Sequence, residues 1–73
     1  MEVKVKYNIV ENFIKKNKLS LEEYSKKALI SKWNLKRMLY GDHLVKPSVA
    51  FNIVVMQKMS LDDFCNFVVK VIK

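Results

Sequence analysis

One short pattern occurs three times in this 73-residue chain, and each copy carries the signals of a helix start. An apolar residue precedes a Ser, with a polar and a second apolar residue at fixed offsets beyond it. The copies are Leu19-Ser20-x-x-Glu23-Tyr24, Ile30-Ser31-x-x-Asn34-Leu35 and Met59-Ser60-x-x-Asp63-Phe64. Ser at an N-cap accepts a hydrogen bond from a backbone N–H of the first turn that has no partner inside the helix. Glu23 can reach back to the Ser20 amide and close a capping box; Asp63 is shorter, but its charge suits a helix N-terminus. The flanking apolar pairs stand where hydrophobic staples stand. Helices are therefore expected to begin near residues 21, 32 and 61.

Two further helices follow from periodicity. Val10, Phe13 and Ile14 have helical spacing within residues 7–17, with Tyr7 one turn earlier. Pro47 suits the first position of a helix over residues 47–58, whose Val49, Ala50, Ile53, Val54 and Gln57 form two adjacent rows. Gly41 is placed to stop the third helix. The expected order is five helices, at about 7–17, 21–28, 32–40, 47–58 and 61–72, in one all-α domain spanning residues 1–73. Met1 to Lys6 alternate Val3 and Val5 with charges; a short strand and a frayed arm both fit that alternation.

Composition narrows the class. A single Gly and a single Pro argue against an all-β chain rich in turns. A hydrophobic content of 51% argues against disorder. A domain of this length buries only about 60% of its unfolded surface, which leaves little room for an enzyme pocket. Cys65 is the sole cysteine, excludes an intrachain disulfide, and is expected as a buried thiol beside Phe64 and Val68. The four Met are expected as core filler. With no leader segment and no long apolar run, a cytoplasmic protein without membrane, metal or cofactor is expected.

The net charge of +7 is concentrated. Within residues 26–46, Lys26, Lys27, Lys32, Lys36, Arg37 and Lys46 face a single acid, Asp42. A local basic field of this kind favours a polyanion. In the third helix the inward positions are Leu35, Met38 and Leu39, so Lys32, Trp33, Lys36 and Arg37 fall on the other side, with Asn34 in the first turn. Lys and Arg there can bond phosphates or guanine edges, and Asn can pair with adenine. Trp33 can rest on a sugar or a thymine methyl, or pack against the second helix.

Helix 2 is expected to end near Ala28 and helix 3 to start after Ser31, with a turn of about three residues between them, the length found in a helix-turn-helix. From here the chain resembles the Cro/phage-repressor class, the XRE family of helix-turn-helix proteins. The resemblance runs over residues 9–64, through "FIKKNKLSLEEYSKKALISKWNLKRMLYG", a loop, and "KPSVAFNIVVMQKMSLDDF". Ser20, Glu22, Glu23, Ser31, Gly41 and Pro47 stand where the family pattern has them. The resemblance implies a compact five-helix, lambda-repressor-like domain that binds operator DNA as a dimer. The chain departs from the pattern at Leu21, where the family often has Gln, and at Leu29, where it has the turn Gly. It departs again at Leu39 and Ile14, where some members have a Glu–Arg pair; changing both halves of a buried ion pair to apolar residues is often neutral or stabilising.

The function expected is a sequence-specific DNA-binding regulator, a repressor of phage or mobile-element type. Ser31, Lys32, Trp33, Asn34 and Arg37 would read bases, with Arg37 the leading base contact. Ser20, Lys26, Lys36, Tyr40, His43, Lys46 and Ser48 would meet phosphates. Leu61, Phe67, Val68, Val71 and Ile72 would join two copies, because helix 5 is apolar most of the way round. The competing expectation is a modulator that keeps the fold but docks on another regulatory protein through Leu21, Leu29, Trp33 and Tyr40. His43 has no second ligand near it in sequence, and the acids cap helices, so an enzyme is not expected.

Overall fold

A computed structural model describes residues 1–73 and shows five helices and three strands. The order is β1 (Glu2–Val5), α1 (Tyr7–Lys16), α2 (Leu21–Ala28), α3 (Lys32–Tyr40), β2 (Leu44–Val45), α4 (Pro47–Met56), α5 (Leu61–Phe67) and β3 (Val68–Ile72). The all-α expectation is thereby corrected: the fold is mixed, with a three-stranded antiparallel sheet in the order β2-β1-β3.

The helix starts fall where the Ser pattern puts them. Ser20, Ser31 and Ser60 each accept the amide of the third helical residue, at 3.1 Å in all three cases. Glu23 and Asp63 close capping boxes by accepting the Ser20 and Ser60 amides. The same pattern also ends the preceding helix. Lys18, Leu29 and Lys58 adopt left-handed φ of 52°, 56° and 53°. The next residue in each case donates its amide back to the last turn: Leu19 to the Ile14 carbonyl, Ile30 to Ser25, and Met59 to Val54, all at 3.0 Å. These are Schellman closures made without glycine. Leu19, Ile30 and Met59 thus finish one helix and staple the next, and all three pack on the core.

Helix 5 was expected to run to residue 72 but stops at Phe67, and Val68 is already extended. Four of the five residues Val68–Ile72 are β-branched, which lose rotamer freedom in a helix and fit a pleated surface. The free side of β1 supplies a partner. Glu2 pairs with Ile72, Val3 with Val71 and Lys4 with Lys70; a bulge then leaves Val69 as the extra residue before Val5 meets Val68. On the other side of β1, Val3 pairs with Val45 and Lys4 with Leu44. Residues 1–6, where strand and arm both fitted, therefore supply the central strand.

The sheet and the helices share one core. Val3, Val5 and Val45 contribute from the sheet; Val10, Tyr24, Ala28, Leu35, Met38, Leu39, Val49, Ala50, Ile53 and Phe67 contribute from the five helices. Leu35, Met38 and Leu39 are the inward positions of α3, as their spacing requires. Phe67, expected in a dimer interface, is 0% exposed and belongs to this core. Cys65, expected to be buried, is exposed. Of the four Met, only Met38 is fully buried, and Met1 is exposed. The Tyr24 phenol donates to Gln57 Oε1 at 2.5 Å, tying α2 to the end of α4, and burial pushes its pKa up.

Candidate nucleic-acid interface

The turn between α2 and α3 spans Leu29 to Ser31 and is held on both sides. Its backbone closes on α2 through the Leu29 and Ile30 amides, and the Asn52 side chain of α4 donates to the Leu29 carbonyl at 3.3 Å. The turn has no glycine; Leu29 takes the left-handed conformation itself and leaves its side chain 82% exposed. Leu21, at the start of α2, is half-buried and packs on the core.

Helix α3 presents a stripe formed by Trp33, Lys36, Arg37 and Tyr40, at offsets of three, four and seven residues. Trp33 is 68% exposed and Tyr40 69% exposed, so Trp33 is not packed away against α2. Lys32 and Lys36 are exposed, and Asn34 is half-buried. Neither Lys32 nor Lys36 lies within 4.0 Å of a carboxylate. Lys26 is exposed but sits 3.7 Å from Glu22, an i,i+4 surface pair. Lys46 and Ser48 are exposed around the N-terminus of α4.

Two residues expected at this interface are engaged inside the protein. The Arg37 guanidinium donates to both Glu2 oxygens, at 2.8 and 2.9 Å, and to Asp42 through Nε and Nη2, each at 3.0 Å. Its Cζ also lies 5.8 Å from the Trp33 ring centroid. Hydrogen bonds from the Arg37 fork lower the pKa of both Glu2 and Asp42, and the two carboxylates raise the Arg37 pKa in return. Asp42 Oδ1 also accepts the Leu44 amide at 3.1 Å. Arg37 is therefore a clamp joining α3 to β1 and to the loop before β2. The base-reading role expected of it is corrected accordingly: its carboxylate partner Glu2 lies 35 residues away in sequence, beyond the reach of local spacing.

His43 is the second. Its backbone is left-handed at φ 62°, its ring stacks on Tyr7 at a centroid separation of 4.1 Å, and Nδ1 donates to the Met38 carbonyl at 2.6 Å. The ring is half-buried, and one of its two nitrogens is spent inside the fold. Gly41 does stop α3, but through space rather than a left-handed φ: a Cβ there would lie 2.8 Å from the Arg37 carbonyl oxygen.

The Ser20 and Ser31 hydroxyls are exposed and already accept the cap bonds of α2 and α3. Among the residues expected to join two copies, Leu61 is the most exposed, Val71 and Ile72 are exposed on β3, and Val68 is half-buried. No helix is long and apolar enough to cross a membrane. Comparison of the chain with protein-family models, with curated proteins and with solved structures finds no match.

Proposed function

We propose that this chain is a DNA-binding regulator of helix-turn-helix type, of the XRE class, which lays α3 in the major groove. The observation that carries the reading is the outward face of α3, where Lys32 and Lys36 flank an exposed Trp33 beyond a three-residue turn. Lysines without carboxylate partners keep their charge for phosphates or guanine edges. Lys27 and Lys46 are exposed and unpaired as well, and extend the basic field on either side of α3 in sequence. Ser31, Lys32, Trp33 and Asn34 are the proposed base contacts. Ser20, Lys26, Lys36, Tyr40, Lys46 and Ser48 are the proposed phosphate contacts. Arg37 acts on DNA only through its hold on the helix and on Trp33. A dimer would set two such faces about 34 Å apart, one turn of DNA.

A titration of duplex DNA at several salt concentrations tests this. Release of counterions by four or five lysines gives a slope of log K against log salt of roughly −4. Absence of binding at low salt would refute the reading. A second reading is favoured by the exposure of Leu29, Trp33 and Tyr40: a modulator that docks these apolar groups on another regulatory protein. Binding insensitive to salt, and directed at a protein rather than DNA, would select it.

A further inference from the structure

Leu29 departs from what its two counterparts do. The closures after α1, α2 and α4 each use a left-handed residue, and these are Lys18, Leu29 and Lys58. That conformation is unfavourable for any side chain with a Cβ. The two lysines are exposed and charged, so water solvates them. Leu29 holds an apolar side chain 82% exposed and outside the core. A strained backbone that carries an exposed apolar group gives nothing to the isolated fold, and such positions gather at functional sites.

Leu29 borders a groove. With Lys27 and Ala28 of α2, and Phe51, Val55 and Met56 of α4, it lines a cleft of about 160 Å³. A second cleft, of about 420 Å³, is lined by Phe13, Asn17 and Leu19, and again by Lys27 and Met56. The two shared residues join the clefts into one groove, which runs from the end of α1, between α2 and α4, to the turn before α3. Phe51 and Val55 are exposed and stand one helical turn apart on α4. No acidic side chain lines the groove, and Lys27, where the clefts meet, is its one charged residue. No carboxylate lies within 4.0 Å of Lys27. Glu23, one turn earlier on α2, accepts the Ser20 amide instead.

We propose that this groove is the docking site of an acidic amphipathic helix of another protein, whose apolar stripe covers Leu29, Phe51 and Val55 and whose carboxylate pairs with Lys27. The walls call for a helix. They are faces of α2 and α4, whose backbone groups bond within their own turns, and the Leu29 carbonyl at the turn accepts the Asn52 side chain. An extended segment laid there would leave its own backbone groups without partners, whereas a helix pairs its own. Charge calls for an acidic one. The chain carries +7 and attracts acidic proteins, and Lys27 is the single ion the groove leaves for pairing. A nucleic acid would meet only one lysine in an otherwise uncharged groove, and a second copy would bring the same +7. The inference shares Leu29 with the protein-docking reading of the α3 face but needs neither Trp33 nor Tyr40, and it does not rest on DNA binding.

The probe is a fluorescent alanine-based helical peptide of about 16 residues, with one leucine stripe flanked by glutamates. Its anisotropy is titrated with the full chain. Roughly micromolar binding is expected. Leu29→Gly should weaken it about fivefold or more while raising the urea midpoint of the free chain, a loss of binding that unfolding cannot explain. Phe51→Lys should weaken it as much with unchanged circular dichroism. Lys27→Glu should disfavour the glutamate peptide and favour a lysine version of it. Trp33→Ala should bind as wild type does. No binding at about 100 µM overturns the proposal. Equal binding of a shuffled peptide overturns it too, since bulk charge would then suffice. Retained binding in Leu29→Gly and Phe51→Lys, or loss in Trp33→Ala, moves the contact off the groove. Indifference to Lys27→Glu overturns the acidic partner. A wild-type chain that sediments as a dimer and becomes monomeric in Leu29→Gly gives the groove to a second copy and overturns the proposal as well.

Discussion

Arg37 on α3 and Glu2 on β1 meet through two parallel N–H···O bonds, at 2.8 and 2.9 Å. This fork-to-fork geometry fixes orientation as well as distance. It links the helix that bears the exposed Trp33 to the central strand, and Asp42 completes the grip from the loop between α3 and β2.

Acid should loosen that grip. Glu2 and Asp42 have pKa values lowered by Arg37, and Glu23 has one lowered by the Ser20 amide. A depressed carboxylate contributes stability that is present above its unfolded pKa and is lost as pH falls through the folded one. The urea midpoint should therefore be level between about pH 7 and 5 and fall below about pH 4, near the ordinary carboxylate range. Arg37→Ala should lower the midpoint at neutral pH and flatten the acid limb. An unchanged limb in that variant would show that other carboxylates dominate.

Leu29→Gly should stabilise the fold. A non-glycine residue in the left-handed region costs roughly 1–2 kcal/mol, offset in part by the added freedom of glycine in the unfolded chain. The side chain is exposed, so little packing is lost. A net gain of about 0.5–1 kcal/mol in urea unfolding is expected. A loss would mean that Leu29 packs on something its solvent exposure conceals.

Phe67 and Phe51 should separate cleanly. Phe67→Ala removes a fully buried ring and should cost about 3–5 kcal/mol, enough to unfold most domains of this size. Phe51→Ala, at a ring left 66% exposed, should stay within about 0.5 kcal/mol of wild type. Equal losses would place Phe51 in the core.

Lys4 and Lys70 stand directly opposite each other across β1 and β3. Like charges in that position are unfavourable, and an opposite-charge pair contributes roughly 0.2–1 kcal/mol. Lys4→Glu should raise the thermal midpoint at low salt, and 1 M salt should remove the gain. A gain that survives high salt would have a different origin.

On DNA, Lys36→Ala should reduce the salt slope of log K by about one, as expected for one lost phosphate contact. Lys58→Ala, beyond the end of α4, should leave that slope unchanged. Equal effects would argue for a diffuse field rather than a face centred on α3.

What the sequence by itself determined is local. The three Ser caps, the helix starts at Leu21, Lys32 and Leu61, and the inward row Leu35, Met38 and Leu39 all depend on atoms within about one turn of helix. The identity of the exposed α3 residues follows from that row. Tertiary structure decided what depends on distant partners. Val68–Ile72 is apolar in a way that suits a helix or a strand, and β1, some 66 residues earlier, offers the unpaired backbone that selects the strand. Arg37 looks like an open guanidinium until Glu2 reaches it across the fold, and His43 looks like a loop residue until Tyr7 stacks on its ring. Periodicity records which side of an element is apolar. It carries no record of which remote backbone or carboxylate will meet that element, because such contacts are made only when the chain closes on itself.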